Sequence, residues 1–335
     1  MDNKHKPTIA ITMGDPAGIG PEVVLGALKS PEVYERCIPL VIGSADVLDR
    51  LIRQVGIKGI AIRRIGQIGQ IQAGSSATVD ILDVPVPGLE DLRPGEVQAV
   101  AGRAADAYIR KACELALERR IDAISTAPIS KESLRAAGIQ GIGHTELLAE
   151  YLNAPDPLTL FITERMRIFF LSRHLSLRQA IDYITEENVL RMIRMVDAEM
   201  RRLGFPRPSI AIAALNPHGS DGGQFGDEEE RHITPAILKA RGEGIDACGP
   251  VPADSVFHQA LEGRYDCVIS LYHDQGHIAS KTRDFFRTVT ATLGLPVLRT
   301  SVDHGTALDI AWQGKANPIS MQSAILAACD LLGNG

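Results

Sequence analysis

Short apolar runs alternate with amphipathic stretches along almost the whole chain. Strand-like runs cover Thr8 to Met13, Ile38 to Ile42, Val79 to Leu82, Ile121 to Ser125, Leu158 to Ile162, Ile168 to Leu171, Ile210 to Leu215, Val268 to Tyr272 and Val297 to Leu298. Between them, helical periodicity is clearest from Glu96 to Arg119, where Val97, Val100, Ala104, Tyr108, Ala112 and Leu115 form one apolar face. A second helix is predicted to start at Thr185, an N-cap followed by Glu186 and Glu187, and to stop near Gly204. This alternation predicts βαβ units around a largely parallel sheet. The Gly-, Gln- and Ser-rich segment Arg63 to Ala77 is expected to be surface loop or a poorly packed excursion. No period of about 20 to 50 residues is visible, so a solenoid is not expected.

The polar residues that end these runs change the picture. Val268 to Tyr272 runs into His273-Asp274-Gln275-Gly276, and Pro296 to Leu298 runs into Arg299, with Asp303-His304-Gly305 close behind. Open α/β sheets bind ligands beyond the carboxyl ends of their strands, so chemistry is expected there. With 335 residues, 45% of them hydrophobic, the chain can bury a large core, and its length favours two lobes. A net charge of -6 without a basic stripe excludes a nucleic acid backbone as the expected partner. The polar start MDNKHKPT is no signal peptide, and no apolar run approaches the roughly 20 residues of a membrane span, so a cytoplasmic protein is expected. Five scattered cysteines without a CxxC pair read as reduced thiols.

Several constellations could carry chemistry. Gly14-Asp15-Pro16-Ala17-Gly18-Ile19-Gly20-Pro21-Glu22 is a glycine-rich turn into a helix, neither a GxGxxG fingerprint nor a P-loop; it reads equally as a tight turn or a ligand contact. Gly141-Ile142-Gly143-His144-Thr145-Glu146 opens a helix whose start could bind phosphate or carboxylate. The plainer alternative has Thr145 capping that helix and His144 in solvent. Upstream, Thr126 to Lys131 could add a cation. His174, His218 and His273 each follow a strand-like run, with carboxylates such as Asp254 and Asp274 nearby. Such a set suits a divalent metal with an open position, although single histidines at strand ends are more often structural.

Taken together, TMGDPAGIGPE (12 to 22), GHTE (143 to 146), LNPHGSDGG (215 to 223), PADS (252 to 255), YHDQGH (272 to 277) and TLGLPVLRTSVDHGTALDIA (292 to 311) resemble the 4-hydroxythreonine-4-phosphate dehydrogenase family of vitamin B6 biosynthesis, including its D-threonate and D-erythronate 4-phosphate dehydrogenase relatives. HGTALDIAWQGKANP is also similar to the cofactor loop of isopropylmalate and isocitrate dehydrogenases, which bind NAD without a Rossmann fingerprint. The resemblance implies an isocitrate/isopropylmalate dehydrogenase-like α/β fold of two lobes with a cleft between them. Residues 1–128 plus 300–335 would form an outer lobe with the NAD loop, and 129–299 an inner lobe with the metal and substrate site and the dimer interface.

It further implies a divalent metal (Zn, Mg, Co or Mn) on His174, His218 and His273, one of them given by the partner of a homodimer. Substrate contacts would be His144, Thr145, Lys281, Thr290 and Arg299. Thr290 stands where the family usually has asparagine and leaves the substrate open. Lys281, with Asp254 and Asp274, would serve proton transfer. NAD or NADP would meet Asp303, His304, Gly305, Thr306, Asp309 and Asn317, and Trp312 replaces a usual glycine near the adenine end. The implied activity is oxidation, with decarboxylation of the β-keto acid, of 4-hydroxy-L-threonine 4-phosphate. Alternatives are D-threonate or D-erythronate 4-phosphate, a cis-dihydrodiol carboxylate, or, as a different class, phosphate acyl transfer on the same fold.

Overall fold

The computed structural model describes residues 6–72, 75–140, 143–154 and 156–333. Its strands are β1 (Thr8–Thr12), β2 (Ile38–Gly43), β3 (Ala61–Ile65), β4 (Thr78–Asp83), β5 (Ala123–Thr126), β6 (Leu158–Thr163), β7 (Met166–Phe170), β8 (Ile210–Ala213), β9 (Ala247–Val251), β10 (Cys267–Ser270), β11 (Val289–Leu293) and β12 (Leu298–Ser301). The chain packs as two compact units, Met1–Pro157 with Val289–Gly333, and Leu158–Thr288. Gly141 and Ile142 of the predicted anion-binding helix start, and the first five residues of MDNKHKPT, lie outside the described residues.

In the first unit the strands run β3-β4-β2-β1-β5-β12-β11, all parallel except β11, which is antiparallel to β12. The central strands are apolar because helices cover both faces: Ile9, Ile11, Leu40, Ile42, Ile81 and Ile124 share one core with Tyr108 of the helix Ala99–Leu117. That helix starts three residues later than its periodicity predicts. The Gln98 side chain turns back instead to bond both the N–H and the carbonyl of Arg93. In the second unit the order is β6-β7-β10-β8-β9, parallel except for the β6–β7 pair, over a core that includes Phe161, Ile168, Phe170, Ala211 and Val268.

Three predicted features change. The segment Arg63 to Ala77 is not all loop, because it begins inside β3, an edge strand whose Arg63 reaches Asp80 on β4 at 2.6 Å. Segments 129–157 and 289–299, expected with the inner lobe, pack with the first unit. Helix Lys131–Ala136 lies on helix Ala99–Leu117, and β12 sits between β5 and β11. Finally, Arg299 does not follow its strand but lies within β12. The helix from Thr185 is as predicted: Glu186–Arg202, with the Thr185 hydroxyl accepting from the Asn188 N–H at 3.2 Å. Among the described residues no helix is long and apolar enough to cross a membrane. All five cysteines are free thiols.

Candidate active site

A buried guanidinium is the chemical centre of the first unit. Arg299 is 5% exposed and opposes Thr292 in the β11–β12 register. Its Nη1 donates to Thr292 Oγ1 at 3.0 Å, and its Nη2 and Nε donate to Thr126 Oγ1 at 2.8 and 3.2 Å. Two hydroxyls accept from three of its five N–H groups without neutralising its charge, and among the described residues no carboxylate bonds to it. Burial lowers Arg299 to about 10, with the more distant charge of Glu146 opposing. A desolvated cation without a counter-ion is costly in a finished core and useful where an anion is to be received.

His144, which feels the charge of Arg299, is the first residue of helix His144–Tyr151, which is capped by the backbone of Gly143 rather than by Thr145. The imidazole is not in solvent as the plainer reading expects. Its Nε2 is buried and has no hydrogen-bond partner among the described residues. Burial, and secondarily the charge of Arg299, hold it well below the ordinary imidazole range, so it is neutral and free to donate one N–H to a ligand. Thr145 is half-buried at the second helical position, and Thr290 is half-buried two residues before Thr292 on the same face of β11. Thr126 and Thr292 escaped sequence reasoning as site residues, since only strand pairing places them against Arg299.

The histidines belong to the second unit. The helix His273–Arg283 begins where β10 ends, and its face carries His273, His277 and Lys281 at four-residue spacing. Asp274 Oδ1 holds His273 Nδ1 at 2.6 Å, which leaves Nε2 as the outward nitrogen. The His174 ring lies with its centroid 6.5 Å from that of His273. Gln275 ties two strand ends together: its Oε1 accepts from Leu271 N at 2.8 Å and its Nε2 donates to Ala214 O at 2.8 Å. His277 stacks on His273, and burial first, then the charges of His273 and Lys281, push it down to about 4. The Lys281 ammonium lies 5.5 Å from the Phe285 ring centre. Asp254 is exposed in the first turn of helix Ala253–Leu261.

His218 rides on a turn, Pro217–Asp221, where it adopts left-handed φ 56°, ψ 19°. The anchor of that turn is Glu229, a buried carboxylate missed in the sequence. It accepts from the Leu215 and Asn216 N–H groups at 2.8 and 2.7 Å and from Asn216 Nδ2 at 2.8 Å. Among the described residues no three His, Cys, Asp or Glu side chains converge as a metal cluster. The donor types nevertheless fit a divalent ion. His273 has the carboxylate-oriented geometry typical of metal-ligating imidazoles, and a set shared between subunits does not require three ligands in one chain.

The loop after β12 returns to the first unit's glycine-rich turn. Ile19 N donates to Thr306 O at 2.9 Å, and a Cβ on Gly18 would come within 2.9 Å of Thr306 Cβ, so only glycine permits this approach. Trp312 occupies a left-handed φ of 59°, a conformation that favours glycine. Its Nε1 donates to Pro16 O at 3.0 Å, its N–H to Glu22 Oε2 at 2.6 Å, and Arg50 lies 5.3 Å over its ring. His304 keeps a buried, unpartnered Nε2, its Nδ1 lying 3.0 Å from Gly305 O. Asp309 is exposed, and the Asn317 side chain accepts from Ile319 N at 3.0 Å, opening the last helix, Ile319–Gly333.

Residues 35–328 match the family described as pyridoxal phosphate biosynthetic protein PdxA. A protein of Symbiobacterium thermophilum with the provisional name D-threonate 4-phosphate dehydrogenase is 52% identical over 96% of this chain and 95% of its own. The crystal structure of 4-hydroxythreonine-4-phosphate dehydrogenase from Klebsiella pneumoniae superposes with a TM-score of 0.90 at 42% identity, covering 97% of this chain and 99% of that one. That of a terephthalate 1,2-cis-dihydrodiol dehydrogenase from Burkholderia xenovorans gives 0.67 at 29% identity, covering 97% and 98%. With motifs, fold and matches agreeing along nearly the whole length, the chain belongs to the pyridoxal phosphate biosynthetic protein PdxA family.

Proposed function

We propose that this protein is a nicotinamide- and divalent-metal-dependent dehydrogenase of a four-carbon, 4-phosphorylated hydroxy acid, oxidising a secondary alcohol to a β-keto acid that loses carbon dioxide. The observation that carries the reading is Arg299, a buried guanidinium without a carboxylate partner among the described residues, whose charge reaches neutral His144 with its unpartnered Nε2. A phosphate dianion supplies what both groups lack. D-threonate 4-phosphate is favoured over 4-hydroxy-L-threonine 4-phosphate, on the 52% identical relative of that name and on Thr290, whose single hydroxyl replaces a paired amide.

The second unit's own groups would then handle metal and protons. His174, His218 and His273 would hold the metal, with Asp274 fixing which nitrogen of His273 faces it. When bound, the metal would polarise the substrate hydroxyl and stabilise developing negative charge, and the nicotinamide would accept hydride. Lys281 Nζ would return a proton to the carbon that loses carbon dioxide. The loop from Asp303 to Asn317 would cradle the dinucleotide. One ligand would come from a second copy of the chain. In support, Leu175, Leu177 and Ile278 are exposed apolar residues beside His174 and His277 in sequence.

The test is NADH formation from D-threonate, D-erythronate and 4-hydroxy-L-threonine 4-phosphates and a cis-dihydrodiol carboxylate, with and without chelator. The expected result is chelator-sensitive turnover with the highest kcat/KM on D-threonate 4-phosphate. Equal activity on dephosphorylated acids would sink the reading of Arg299.

A further inference from the structure

The ring of His277 has no role in the chemistry above, yet it is held more closely than any candidate ligand. It packs parallel to His273, with centroids 3.7 Å apart and 14° between the planes. On its other sides are Phe161 of β6, at 4.2 Å and 57°, and Phe170 of β7, at 4.8 Å and 47°, themselves edge to face at 5.2 Å. The helix can bring the ring so near the sheet only because the preceding residue has no side chain. A Cβ on Gly276 would lie 2.7 Å from Phe170 Cε1, 2.8 Å from Ile168 Cγ2 and 2.8 Å from Ser270 Oγ.

We propose that His277 is a positioning residue for His273, a ring clamped between the phenylalanine pair and the candidate ligand that fixes the plane of the ligand's imidazole. Two constraints then act on His273. The stack fixes its plane, and Asp274 on Nδ1 at 2.6 Å fixes its rotation within that plane. A ligand imidazole aimed before the metal arrives loses little rotamer freedom on binding, and partners that orient a ligand typically change metal affinity about 10- to 100-fold. The stack requires an aromatic face at position 277 and no particular nitrogen, so phenylalanine should replace histidine.

The proposal rests on His273 being a ligand, and its test separates the two. In metal-free protein, NMR of ring-labelled histidine should show the His273 ring protons displaced by the His277 ring current. The displacement should vanish in His277→Ala and return in His277→Phe. Titration with Co2+ should show affinity lowered about 10- to 100-fold in His277→Ala and restored to within about threefold in His277→Phe. If alanine impairs folding, His277→Leu replaces it, filling the space without a ring. Should His273→Ala leave Co2+ affinity unchanged, the ligand reading fails. An affinity that needs His273 and is indifferent to His277, or a loss that phenylalanine does not restore, overturns the positioning role.

Discussion

Arg299 concentrates the conflict between stability and function in one side chain. Removing a guanidinium from water is expensive, and two threonine hydroxyls do not cancel its charge. Arg299→Met should therefore leave the Tm of the free protein within a few degrees of the original, since burying an apolar chain instead is often neutral or stabilising. If D-threonate 4-phosphate is the ligand, the substitution should also remove the rise in Tm expected from it, a contact worth about 2 kcal/mol or more. Thermal melts with and without ligand decide it: an undiminished ligand shift would show that the anion binds elsewhere. Glu229 is the opposite case, charged but saturated by three N–H donors. Glu229→Gln weakens these charge-assisted bonds, at a cost of about 1–3 kcal/mol. The His218 turn should loosen, seen as faster amide exchange at Asn216 and Gly219 and weaker Co2+ binding; unchanged exchange would show that the turn holds itself. Neither Thr126, Thr292 nor Glu229 was legible in the sequence as a site residue, because each gains its role from a partner distant in the chain or from a turn that had to be seen folded.

Among the elements, what was legible follows from burial. β1, β2 and β4 read as apolar runs because helices cover both their faces. β3 is masked in the sequence by arginines whose carboxylates lie on other elements, and the apolar run of β12 stops short of the strand because its interior holds Arg299. The strand-turn-helix at the N-terminus shows a further device. Asp15 is fully buried, and its Oδ1 accepts from Ala17 N at 2.8 Å. Burial raises its carboxyl above the ordinary range. A carboxyl whose folded pKa exceeds its unfolded value binds more protons in the fold. Its contribution is therefore fully present below about pH 4 and is lost as pH rises through the folded value. Asp15→Asn keeps the Oδ1 acceptor and cannot ionise, so its Tm relative to the parent should rise between about pH 4 and pH 7. A difference constant over that range would refute burial as the cause.

For the whole molecule, the open question of assembly is one the single chain poses itself. The ring centroids of His174 and His273 lie 6.5 Å apart, exposed His218 stands on a separate turn, and no third side chain closes a metal cluster among the described residues. The family resemblance implies all three histidines as ligands, but a sequence carries no sign of which copy of the chain would supply which of them. Mixing experiments do. If each metal is held by two histidines of one subunit and one of its partner, alanine variants of the three histidines, inactive alone, can be mixed in pairs under subunit exchange. A hybrid dimer in which the two changes fall on opposite contributors confines both lesions to one site and leaves the other intact. Random exchange makes about half of the dimers hybrid, each with one working site of two, so recovery should reach about a quarter of the parent activity. Two of the three mixtures should recover, and the one that stays inactive identifies the two histidines given by the same subunit. Mass spectrometry of isotopically labelled chains checks that exchange took place. Inactivity of all three mixtures despite exchange would place every ligand in one chain.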